Sequence, residues 1–139
     1  MKKGFSLIEI MIVIIILGLL AGLVLPNLLG QSEEAKKKIV CIQMQSINDA
    51  FKNFKLQNGL YPSTEEGMQA LIENPDPEKY KSYPDGGFLD GTVPLDPWKN
   101  PYIYINDDSE IDMISLGADG KEGGTKEGAD ISFSSCKEK

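Results

Sequence analysis

From residue 5 to residue 25 only Ser6 and Glu9 carry clearly polar side chains. As an α-helix these 21 residues would extend roughly 31 Å, at about 1.5 Å per residue, which matches a bilayer hydrocarbon core of roughly 30 Å. Residues 5–25 therefore read as a single membrane span. A cleaved secretory signal is the competing reading, but the run is too long and Leu25-Pro26-Asn27-Leu28-Leu29 lacks a small-residue exit. Lys2 and Lys3 favour a cytoplasmic N-terminus, whereas Lys36, Lys37 and Lys38 pull the other way. Within the span Glu9 is the anomaly. A charge at bilayer depth costs about 3 kcal/mol by insertion scales, so an acid there is a functional-site hypothesis by default.

The rest of the 139-residue chain is rich in Lys, Asp, Glu, Gly and Pro, long enough for one small domain. The formal charge of −7 over the whole chain repels nucleic-acid backbones, which disfavours nucleic acid as a partner. There is no His, and Cys41 and Cys136 lack CxxC spacing, so zinc and thioredoxin-like chemistry are poorly supported. Paired, the two cysteines would close a long loop and place the soluble part in an oxidising compartment; the alternative is two buried free thiols. No Gly-x-Ser-x-Gly, phosphate loop or acid–base constellation is present, so an enzyme is not expected.

Beyond Pro26 the helical pattern resumes over 26–59. Glu33 and Glu34 precede Lys37 and Lys38 by four residues, the favourable order on a helix. Val40, Met44, Ile47, Phe51 and Phe54 recur at steps of three and four, with Cys41 at the margin of their stripe, and Asn58-Gly59 supplies a C-terminal cap. Pro26 with Gly18, Gly22 and Gly30 makes 18–30 the weakest part, where a kink or unwinding is expected. Residues 60–139 read as turns and short elements. Ser63 or Thr64 caps a short helix over 65–73, residues 75–101 hold six of the eight prolines and stay irregular, Ile103 to Ile105 and Ile111 to Ile114 flank a hairpin turn, and 131–133 adds a last strand.

Three soluble motifs occur in order: Tyr61-Pro62-Ser63-Thr64-Glu65-Glu66-Gly67, Asp96-Pro97-Trp98-Lys99-Asn100-Pro101-Tyr102, and Ser115-Leu116-Gly117-Ala118-Asp119-Gly120. They are similar to the major pseudopilins of type II secretion, and Gly4-Phe5-Ser6-Leu7-Ile8-Glu9 resembles the leader of the wider type IV pilin class. The resemblance implies an α+β pilin-like fold, a long N-terminal helix on a small antiparallel sheet. It implies a leader at 1–4 cut after Gly4 by a prepilin peptidase that also methylates the Phe5 amine. It further implies a bacterial inner-membrane protein, single-pass with a periplasmic domain. Its homopolymer would form a periplasmic filament together with minor pseudopilins and an inner-membrane assembly platform. A type IV pilin for adhesion, motility or DNA uptake, and an anchored module that never polymerises, are the alternatives.

Assembly gives Glu9 a partner. Within one helix the Phe5 amine and Glu9 are a turn apart, but between staggered copies the amine of one subunit can meet the carboxylate of the next. Pairing regains much of the desolvation cost that an isolated acid bears. The stretch 116–130 holds Asp119, Glu122, Glu127 and Asp130 among five glycines, without EF-hand spacing. The resemblance implies Ca2+ in this loop, with Asp119 and Asp130 as side-chain ligands and Leu116 as a carbonyl ligand; the plain alternative is a solvated acidic loop. Cys41 and Cys136 depart from the family pattern, and the tail 131–136 lacks the family's tryptophan, which a disulfide would replace. Trp98 reads as a plug beneath its loop.

Overall fold

The computed structural model describes residues 3–108 and 110–138, with the side chains at 24–31 and 127 outside the description. Helix α1 spans Leu7–Asn58 and is followed by a 3-10 turn at Met68–Leu71. Then come β1 (Ile103–Asn106), β2 (Ile111–Ser115), a 3-10 turn at Lys126–Gly128, β3 (Ile131–Ser132) and α2 (Phe133–Lys137). Two compact units divide at residue 35, Met1–Ala35 and Lys36–Lys139.

In the first unit, α1 starts where Ser6 accepts the Glu9 N–H through its hydroxyl at 3.2 Å, a side-chain cap on the third helical residue. Every apolar side chain described from Phe5 to Leu23 is exposed, Leu7 by 80% and Leu23 by 71%. The backbone from 18 to 30 lies within the helical span, so it is not unwound here. What the Pro26 ring does to the preceding turn lies outside the described residues. Among the described residues no helix is long and apolar enough to cross a membrane; described side chains of the run stop at Leu23.

In the second unit the continuation of α1 is one wall of the core. Val40, Met44, Phe51 and Phe54 are fully buried and Ile47 nearly so, as their spacing requires. Each large side chain withdrawn from water contributes about 1.5–3 kcal/mol. Phe51 stacks on Tyr104 of β1 with ring centroids 4.4 Å apart, and Phe54 meets Tyr80 edge-on at 4.9 Å. The helix ends as expected: Gly59 takes a left-handed φ of 87°, and its N–H donates to the Lys55 carbonyl at 2.7 Å.

The sheet is antiparallel in the order β1-β2-β3. Register places Tyr104 opposite Met113, and both side chains enter the core. The Tyr104 hydroxyl donates to the Pro62 carbonyl at 2.8 Å, and burial pushes its ionisation well above the ordinary tyrosine range. Tyr102 donates to the Gln43 side chain, tying the chain before β1 to α1. The hairpin turn closes through the Asp107 carboxylate, which accepts the Glu110 N–H at 2.9 Å.

Two expectations are corrected. Instead of a helix over 65–73 there is one capped turn followed by the 3-10 segment. Ser63 and Glu66 form the reciprocal cap, Glu66 N–H to the Ser63 hydroxyl at 3.1 Å and Ser63 N–H to the Glu66 carboxylate at 2.8 Å. Gly67, at φ 63° and ψ −162°, then turns the backbone out of any α-helix. The last strand ends at Ser132, and Phe133 instead opens α2, because the Ser132 hydroxyl caps it by accepting the Ser135 N–H at 3.2 Å. Residues 75–101 do lack regular elements. They are held by single bonds such as Phe88 N–H to the Leu71 carbonyl at 2.7 Å.

Candidate functional site

The glycine-rich loop begins where β2 ends and closes at β3. Gly117, Gly120, Gly123 and Gly124 all have positive φ, which lets the chain reverse repeatedly in few residues. Asp119 accepts the Lys121 N–H at 3.0 Å, and Asp130 reaches back to accept the Gly123 N–H at 2.9 Å. Gly124 is sterically obligatory. A Cβ there would lie 2.3 Å from the Gly128 carbonyl oxygen and 2.8 Å from an Asp119 carboxylate oxygen. A Cβ on Gly128 would likewise meet that Asp119 oxygen at 2.9 Å. The Gly128 carbonyl oxygen and an Asp119 carboxylate oxygen therefore both border the space that Gly124 leaves open.

Among the described residues no three acidic, His or Cys side chains are grouped as a metal site on their own. Any cation in the loop must draw on backbone oxygens beside Asp119 and Asp130, both of which are exposed. A set made wholly of oxygens suits a hard cation that accepts carbonyls, so the residues present fit calcium. Glu122 is exposed and the Glu127 side chain lies outside the described residues.

Sequence reasoning missed the support beneath the loop. Asp96 is 1% exposed and Ser115 fully buried. One carboxylate oxygen of Asp96 accepts the N–H groups of Trp98 at 3.0 Å and Asn100 at 2.8 Å, and the other accepts the Ser115 hydroxyl at 2.8 Å. Ser115 in turn accepts the Gly117 N–H at 3.3 Å. The signal available was Asp96 two residues before Trp98, an Asx-turn arrangement in which the side chain caps the chain ahead of it. Trp98 is half-buried against the core, as are Tyr61 and Cys136.

Cys41 and Cys136 are joined, with Cα atoms 5.7 Å apart and 95 positions apart in sequence. The bond fastens α2 to α1 within the second unit. In the first unit Gly4, Phe5 and Glu9 are exposed at the beginning of the chain.

Residues 27–134 match the family described as type II secretion system (T2SS), protein G, and residues 1–25 match the prokaryotic N-terminal methylation motif. The chain is 42% identical to the type II secretion system core protein G of Vibrio cholerae over 132 residues, 94% of this chain and 90% of that one. It is 42% identical to the protein of the same name from Pseudomonas aeruginosa, covering 94% and 93% of the two chains. The crystal structure of the major pseudopilin from the type 2 secretion system of enterohaemorrhagic Escherichia coli superposes with a TM-score of 0.62 at 30% identity, covering 77% of this chain and 93% of that one.

Proposed function

This chain belongs to the type II secretion system protein G family and is a major pseudopilin, and from that premise we propose that it works by polymerising through residues 5–25 into a periplasmic filament. It is a structural protein, not an enzyme. The match over 27–134 sets aside the surface pilus that the leader alone leaves open. Minor pseudopilins, the inner-membrane assembly platform and the prepilin peptidase are its partners in this reading. Residues 1–4 are cut away after Gly4, and the Phe5 amine is methylated and remains a cation. Residues 5–25 span the inner membrane until assembly, 26–59 continue the helix, and 60–139 stand in the periplasm, where the Cys41–Cys136 bond is at home.

The observation that carries the polymer reading is the bare start of α1: apolar side chains exposed from Phe5 to Leu23 with one acid, Glu9, among them. Such a surface demands lipid or other helices around it. Glu9 pairs with the Phe5 amine of a neighbouring copy and so selects the axial register. A purely local role for the same residue lies at the helix start, where its N–H donates to the Ser6 hydroxyl and its negative charge in the first turn is favoured by the helix dipole. The two separate by mutation. Glu9→Val should leave processed monomer in the membrane and abolish filaments, while Ser6→Ala, which loses the cap but keeps the carboxylate, should still assemble. Regular fibres from Glu9→Val in electron micrographs would sink the pairing.

Calcium is the second element of the proposal. Asp119 and Asp130 supply carboxylates and Leu116 a carbonyl, with the Gly128 carbonyl beside Asp119 supporting that assignment. When bound, the ion would cross-link a loop that is otherwise fastened only by isolated hydrogen bonds.

A further inference from the structure

We propose that Asp96 and Ser115 are the positioning residues of the calcium loop: their buried hydrogen bond sets the plane of the Leu116–Gly117 peptide, and with it the direction of the Leu116 carbonyl. The inference rests on the calcium reading above and adds to it residues that lie outside the loop and do not touch the ion.

A serine hydroxyl has one proton to give and lone pairs to receive. At Ser115 the proton goes to the Asp96 carboxylate at 2.8 Å, so a lone pair is left for the Gly117 N–H at 3.3 Å. Asp96 decides which way the hydroxyl faces. Asp96 is itself fixed by the N–H groups of Trp98 and Asn100, and it is buried where it cannot swing to water. A peptide unit is planar, and no cis bond occurs among the described residues. The N–H of Gly117 and the C=O of Leu116 belong to the same unit and point to opposite sides. Holding the N–H toward Ser115 therefore turns the Leu116 carbonyl away from it. Gly117, at φ 72°, permits the chain to leave in the direction this plane imposes.

A second contact reinforces the first. The Asn100 side chain fills the space above Gly120, where a Cβ would come within 3.1 Å of its amide nitrogen. The loop around Trp98 is thus a platform under both ends of the turn that carries Asp119. Buried partners that orient a ligand are worth ~10–100-fold in metal affinity in characterised metal sites.

The test uses the full chain in detergent micelles, titrated with calcium chloride by calorimetry and melted with and without the ion. Ser115→Ala should weaken calcium binding by ~10-fold or more and shrink the calcium-dependent rise in melting temperature. Ser115→Thr, which keeps the hydroxyl, should restore both. Asp96→Asn, of nearly equal shape, should behave like Ser115→Ala and serves as the readout if that variant does not fold. A merely structural role would lower the melting temperature without calcium and leave the affinity as it was; that result overturns the proposal. Loss of affinity that Ser115→Thr fails to restore overturns it too. Failure of the unaltered chain to bind calcium removes the calcium reading and this inference together, whereas normal binding by both Ser115→Ala and Asp96→Asn removes this inference alone.

Discussion

Residues 7–23 and residues 40–54 lie on one continuous helix and both are rich in large apolar side chains, yet their fates are opposite. Leu7, Leu17 and Leu23 keep 80%, 60% and 71% of their surface exposed, while Val40, Met44, Phe51 and Phe54 keep none. Helix-forming tendency is shared, so it does not decide burial. The second stretch has polar residues between its apolar ones, which leaves one stripe to bury, and its own chain supplies the sheet and the aromatic cluster to bury it. The first is apolar all round, and no single small domain can cover every face of a helix. The difference teaches that one half of α1 is completed by folding, whereas the other keeps its apolar faces exposed, the surface on which the proposed assembly rests.

The sharpest way to break this contrast is to truncate one large apolar side chain in each half. Phe54→Ala should destabilise the second unit by about 3–5 kcal/mol, a large share of the roughly 5–15 kcal/mol that holds a domain. Leu17→Ala should leave the denaturation midpoint of the same full chain in micelles unchanged. Equal shifts would mean that the two halves are not different in kind.

Next in size is the staple. Replacing Cys41 and Cys136 together by serine should cost about 2–5 kcal/mol, measured by urea unfolding of the oxidised parent against the variant. Because both ends lie in the second unit, the effect should appear there and spare any assembly signal from Phe5 and Glu9. Removing calcium comes third. At free calcium ~100 times the dissociation constant, binding adds about 2.7 kcal/mol, so excess chelator should lower the melting temperature by several degrees. An unmoved melting curve would leave only the solvated acidic loop.

The smallest effect is acidic. Burial pushes the Glu66 carboxyl up, but hydrogen bonds from Tyr80, the Ser63 N–H and Lys79, with the charge of Lys79, outweigh it and hold the group below its ordinary value. A depressed acid contributes stability above its unfolded-state titration and loses it as pH falls through the folded one. Glu66→Gln should therefore flatten the acid limb of the stability profile below the usual carboxylate range and cost about 1 kcal/mol or less near neutrality, since Lys79 is largely open to solvent. A steeper acid limb in the variant would reverse the sign.

What could be read from the sequence was what periodicity and turn chemistry encode locally. The stripe from Val40 to Phe54, the cap at Gly59 and the hairpin about residues 106–111 all depend on neighbours three to five positions away. The helix placed over 65–73 failed at one residue, Gly67, whose backbone angles outweighed a sound cap at Ser63. Helix α2 was missed because five residues, four of them weak helix formers, offer no period to detect. In the candidate site, Asp119 and Asp130 stood out as acids among glycines. Asp96 did not, since its burial and its bond to Ser115, 19 positions onward, exist only in three dimensions.

The cross-link between α1 and α2 also bears on the order in which a copy is finished. Position 136 follows position 41 by 95 residues, so the bond can close only after the whole segment between them has been made and delivered to the same compartment. Copies halted or clipped before residue 136 would stay unsealed, and the accessibility of the Cys41 thiol would tell them from sealed ones.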